Sequence, residues 1–175
     1  MSYRVDTMSW APAWMGLVLS PWLVAPWLAG AWTGQPDGDV AWGATAGLGL
    51  LSATVATYLV LAGPDATALL PGLLALALTA GPGYGAAGAL LHRAGRGRLV
   101  AAVVLGAALV AEGLLLQFGE RNALERAIFA IESGVGAVLA TWMAGSRAGL
   151  LAVLAGVVLL GVELAVLATI GPRWP

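Results

Sequence analysis

Leu99–Phe118, LVAAVVLGAALVAEGLLLQF, decides the fold. The run is apolar almost throughout and, at about twenty residues, long enough to cross a bilayer as a helix. One carboxylate, Glu112, interrupts it. Two later apolar runs repeat this feature, with Glu132 and Glu163 near their middles. An acidic side chain at membrane depth costs about 2.5–3.5 kcal/mol on insertion scales, so three of them in one small chain call for a reason.

Composition supports a membrane reading. Of 175 residues, 60% are hydrophobic and only 10% are charged, against about 45–50% and about 25% in soluble domains. Mean hydropathy is +0.90. The net charge of −1 provides no basic field for nucleic acid. Without Cys there are no disulfides, iron–sulfur clusters or thiolate zinc sites, and the single His92 excludes a multi-histidine metal or haem site. No cofactor and no metal are therefore expected. All eight basic residues are Arg, and Ala, Gly and Leu abound, which points to a GC-rich bacterial genome.

Working outward, the chain reads as an all-α, polytopic transmembrane bundle of about six helices in a single domain. The spans fall at about 10–32, 41–63, 67–91, 99–118, 124–144 and 149–170. In the first, Trp10 and Trp14 lie near one end and Trp27 and Trp32 near the other, as belts at the two interfaces. Pro21 and Pro26 should kink this span. A signal peptide is the competing reading of its Arg4, apolar run and Ala29-Gly30-Ala31, but two interior prolines and several Trp suit an h-region poorly.

Thr33–Val40 (TGQPDGDV) is a turn-rich loop carrying Asp37 and Asp39. In the second span Ser52, Thr54, Thr57 and Tyr58 form a polar stripe, read chiefly as helix–helix hydrogen bonding. Gly63-Pro64-Asp65-Ala66 is a tight turn. The third span contains Gly81-Pro82-Gly83-Tyr84-Gly85, expected to weaken or break the helix. Such breaks mark binding sites in many transporters; the alternative is a kink for close packing, with Gly85 and Gly88 admitting a neighbour.

His92–Arg98 (HRAGRGR) is the densest basic segment and reads as an interfacial loop with a solvated His92, a lipid-headgroup or pH-sensing role being the lesser alternative. Charges alternate at Glu120-Arg121 and Glu125-Arg126, Ser146-Arg147 turns the chain, and Gly171-Pro172 stops the last span before Trp174. Arginines divide evenly between the two sides, and local density alone favours the Arg93–Arg98 loop as cytoplasmic. Glycine pairs four apart, such as Gly43/Gly47 and Gly81/Gly85, occur about as often as chance allows among 25 glycines, so no packing motif is read from them.

In a six-span topology Glu112, Glu132 and Glu163 should lie within roughly 5 Å of the midplane, all offset the same way. A proton- or cation-responsive centre is the expectation, with Tyr58, Tyr84 and Gln117 as polar companions and Arg126 as the partner nearest in depth. The alternative is a set of glutamates that only tie helices together. Catalytic motifs are missing: there is no Gly-x-Ser-x-Gly elbow, no phosphate-binding loop ending in Lys and no His/Cys cluster.

Trp42, Thr54/Tyr58, the 81–88 stretch GPGYGAAG and Ala111-Glu112-Gly113 resemble a family of small six-span integral membrane proteins of actinobacteria, of unknown function. The resemblance covers most of the chain from Trp42 onward and implies a bacterial inner membrane. A second likeness is to the substrate-binding subunits of vitamin importers, whose first-helix Ala-x-x-x-Ala spacing is matched by Ala25 and Ala29. Three functions follow as expectations: a small transport or ligand-binding protein with an intramembrane carboxylate centre, a non-catalytic accessory or assembly subunit, or a lipid-modifying enzyme. The bilayer is the expected partner. A protein partner or a second copy is expected too, because six short helices leave little room for a gated pathway.

Overall fold

The computed structural model describes residues 20–34, 39–62, 70–115, 117 and 123–170, and among these it is helical with no strand. The helices are α1 (Ser20–Thr33), α2 (Val40–Ala62), α3 (Leu70–Ala89), α4 (Arg96–Leu115), α5 (Ala123–Ala144) and α6 (Ser146–Ile170), with a 3-10 turn at Leu90–His92. Trp10, Trp14, Asp37, the Gly63–Ala66 turn, Glu120-Arg121, Gly171-Pro172 and Trp174 lie outside the described residues. So do the side chains of Glu125 and Glu163.

Four segments are long and apolar enough to cross a membrane: Val40–Val60, Leu70–His92, Arg96–Leu115 and Arg126–Ala144. The bundle turns its large apolar side chains outward. Val60 and Trp142 are each 81% exposed, and Leu78, Ile131 and Val138 also face out. The interior is mostly Ala and Gly, with few large side chains such as Phe129 and Leu51. A continuous apolar exterior around a core of small residues suits lipid, not water. The chain is a membrane protein.

Helix boundaries have local causes. Asp39 caps α2, its Oδ1 accepting from the N–H groups of Ala41 (2.9 Å) and Trp42 (3.2 Å). Gly145, at φ +86°, ends α5 by donating its N–H to Thr141 O. Helix α6 starts at the next residue, so the turn is made at Gly145 and not at Ser146-Arg147.

The helices sort into two groups of three. α1, α2 and α3 pack tightly together, as do α4, α5 and α6, while among the described residues the main contacts across are those of α1, α3 and the 3-10 turn with α4. The centre is α4, with 61% of its membrane-length window buried against 17–33% for the other three.

In the first group the expected helix break does not occur. α3 runs unbroken through Gly81-Pro82-Gly83-Tyr84-Gly85. The reason is packing: Gly43 and Gly47 of α2 lie against Gly81 and Gly85 of α3, and Gly30 of α1 lies on Gly85. A Cβ on Gly85 would drive into the Gly43 carbonyl, and one on Gly88 into the Trp27 carbonyl. The glycine pairs that chance frequency left without meaning thus form the α2–α3 contact. α4 and α5 repeat the device at Gly106 and Gly136. The hydroxyls of Thr54 and Thr57 do not cross between helices; each donates to the carbonyl four residues back in α2, Leu50 and Ala53 respectively (2.9 Å each).

Gly85→Ala should therefore destabilise the bundle by about 1–3 kcal/mol, because backbone cannot give way. Gly83→Ala, whose Cβ meets nothing within 4 Å, should be neutral or slightly stabilising. Denaturation by SDS in mixed micelles distinguishes the two.

Candidate functional site

The site is built on α4. Ala101, Leu105, Ala108 and Glu112 recur at the spacing that puts them along one stripe of that helix. The stripe faces the first three helices, since Ala101 and Leu105 share a buried cluster with Trp27, Ala31 and Ala87. Glu112 continues it downward and is 5% exposed, the one buried charged residue among those described. Glu112 is thus in helical register with the residues of α4 that pack against the other half of the protein.

Antiparallel packing fixes its depth relative to α5. Gly106 lies opposite Gly136, and Gly113 opposite Phe129 and Ser133. This register sets Glu112 within about two residues of Glu132, roughly 3 Å along the axis. Glu132 is half-buried on the flank of α5. The neighbouring Ser133 is half-buried between α4 and α5, its hydroxyl donating to Phe129 O (3.2 Å) and reaching toward Val110 O (3.5 Å). Glu163 belongs to the last part of α6, where side chains are outside the described residues.

The expected companions separate. Gln117 sits in the turn after α4, its backbone N–H on Leu114 O (3.1 Å). Arg126 is exposed in the second turn of α5, about level with Gln117 and roughly 7–8 Å along the axis from Glu112. Tyr58 lies edge-on to Trp22, ring centroids 5.8 Å apart, on a helix that packs against α1 and α3 rather than α4. Tyr84 lines a groove with Val103, Val104 and Ala107, a different side of α4 from Glu112. Sequence distance and depth said nothing about azimuth, and azimuth is what divides this set.

Two connections of α1 were not visible in the sequence. Trp27, read as an interfacial anchor, is 4% exposed, and its indole N–H donates to Ala101 O at 3.2 Å. His92, read as solvated, is partly buried with Nε2 2.6 Å from Ala31 O. The first ties α1 to α4 across the halves and the second ties α1 to the 3-10 turn just before α4, both at the end opposite Glu112. No protein-family model, curated protein or solved structure matches the chain.

Trp27→Phe removes the donor and one of the two fused rings, and should cost about 0.6 kcal/mol for the hydrogen bond, the average for such bonds in membranes, plus about 1 kcal/mol for the gap left behind. Trp27→Ala should cost about 3–5 kcal/mol. The same SDS titration reads both, and equal losses would show that the hydrogen bond rather than the ring carries the contact.

Proposed function

We propose that this protein is a small transport or ligand-binding protein of the bacterial inner membrane, crossing it six times, with a proton-responsive carboxylate centre at Glu112 and Glu132. Glu163 is its third candidate member. The observation that carries the reading is the burial of Glu112, in helical register with Ala101 and Leu105, which pack against the other half of the bundle. Two three-helix units joined by few contacts form an arrangement able to rock, and gain or loss of a proton at their seam would change the balance between its states. The resemblance to six-span actinobacterial proteins supports the inner-membrane location. A second reading, an accessory subunit, draws on α5, which leaves Ile131, Val135, Val138 and Trp142 exposed along its outer face.

Substitution at Glu112 separates the two. Glu112→Gln keeps shape and hydrogen bonding but cannot titrate. In proteoliposomes carrying an internal pH dye under an imposed proton gradient, the wild type should show protein-dependent flux. The Gln variant should lose at least about tenfold of it while its unfolding transition in detergent stays unchanged. Indistinguishable flux in wild type and Glu112→Gln, together with loss of folding in Glu112→Leu, would favour the accessory reading.

Topology is checked in the same preparation, since the chain has no Cys. Single cysteines at Ala94 and Ser146 should react with an impermeant maleimide from one side of the membrane, and a cysteine at Ala123 from the other.

A further inference from the structure

A groove of about 760 Å3 runs along the outside of the bundle between α3 and α6, floored by α4. Tyr84, Val104, Ala107, Leu151 and Val158 are among its lining, which is apolar apart from the Tyr84 and Thr79 hydroxyls. Thr79 already donates to Ala75 O (2.7 Å) in its own helix. The volume falls within the range of ligand sites, roughly 300–1,000 Å3. Leu151 to Leu159 spans roughly 12 Å along the helix axis, so the groove is elongated and lies within the apolar part of the bundle.

Among the described residues, charge stands at one end of it only. On α4, Arg96, Val100, Val103 and Ala107 lie along one helical face; on α6, Arg147, Leu151, Leu154 and Val158 do the same. The floor on α4 and the wall on α6 therefore each begin with an exposed arginine, and both at the same end of the bundle, where α4 and α6 start. Among the described residues the only acid at that end is Asp39, and its carboxylate caps α2, a helix that packs on α1 and α3. Trp42 and Trp142, both largely exposed, mark the same end as interfacial.

We propose that this groove is a binding site for an acidic phospholipid, an acyl chain lying between α3 and α6 and the anionic headgroup held by Arg96 and Arg147. Guanidinium groups bind phosphate oxygens in a fork. Two of them above one end of an apolar channel, one over its floor and one over a wall, match an amphiphile with net negative charge at its head. A zwitterionic lipid fills the groove equally well but leaves the pair of charges unbalanced. The site is independent of the Glu112 reading, because it uses a different side of α4.

The test uses the full chain purified in mild detergent, with lipid retention read by native mass spectrometry. Dioleoyl phosphatidylglycerol should be retained roughly tenfold more than dioleoyl phosphatidylcholine, from two arginines at the membrane surface. R96Q/R147Q should bring that ratio close to one, and R96K/R147K should keep most of it. G83L should lower retention of both lipids, since a Cβ there points into open space with no protein atom within 4 Å. Equal retention of the two lipids by the wild type, or an unchanged ratio in R96Q/R147Q, overturns the proposal. So does glycerol 3-phosphate binding as well as the lipid, which would leave the groove idle. A wild-type dimer that G83L splits would assign the groove to a second copy instead. If R96Q/R147Q fails to fold, the G83L and glycerol 3-phosphate arms decide alone.

Discussion

Close approach of helix backbones is the constraint on which this structure depends. In lipid there is no hydrophobic drive to bring apolar helices together, so association rests on dispersion contacts, which need short distances. Glycine supplies them. Gly43 and Gly47 against Gly81 and Gly85 bring α2 onto α3, and Gly106 against Gly136 brings α5 onto α4. Each half of the protein has its own such contact, and among the described residues α4 meets the other half chiefly through α1, α3 and the 3-10 turn. The unevenness of the packing follows directly: firm within each trio, thin across the seam.

Polar groups are distributed in keeping with that pattern. Where the halves meet near the start of α4, the Trp27 indole engages the Ala101 carbonyl across the seam, and beside it the His92 ring of the 3-10 turn engages the Ala31 carbonyl. These contacts hold one end of the seam. Further along the same stripe of α4 lies Glu112, buried at the other end. One end of the interface is thus tied by hydrogen bonds to backbone carbonyls, and a buried carboxyl lies further along the stripe.

The apolar runs, bounded by Gly, Pro and charged residues, made the helices legible. α2 at Val40–Ala62 and α5 at Ala123–Ala144 fall within a residue or so of the spans read from the sequence. The fold class was legible for the same reason, since composition and run length are one-dimensional properties. Continuity of α3 was not, because the cost of Gly and Pro in a helix is a local property while its compensation is tertiary: Gly81 and Gly85 are there for what touches them. The candidate site was legible in depth and not in azimuth. Glu112 and Glu132 do share a level, but Tyr84 turns into a groove and Tyr58 toward Trp22, choices made by helix rotation that spacing alone does not encode. Trp27 misled for a similar reason: an indole near a span end is an interfacial anchor when it faces out and a bridge when it faces in.

The location of Glu112 bears on why a carboxyl is there at all. A glutamate kept only to tie helices would be of most use where helices already meet closely, as at Gly106 and Gly136. Glu112 instead continues the stripe that faces the thinnest contact in the bundle, beyond Ala101, Leu105 and Ala108. An apolar residue at that position would extend the stripe without the cost of about 2.5–3.5 kcal/mol that a charged side chain brings to a membrane interior. Burying a carboxyl where least packing is gained is a poor route to stability, since a buried ionic group often contributes less than apolar residues of similar volume. It is a good route to sensitivity. On the proposed proton-responsive reading, a thin interface is the one whose balance a single proton would alter, with each three-helix unit moving as a body about it.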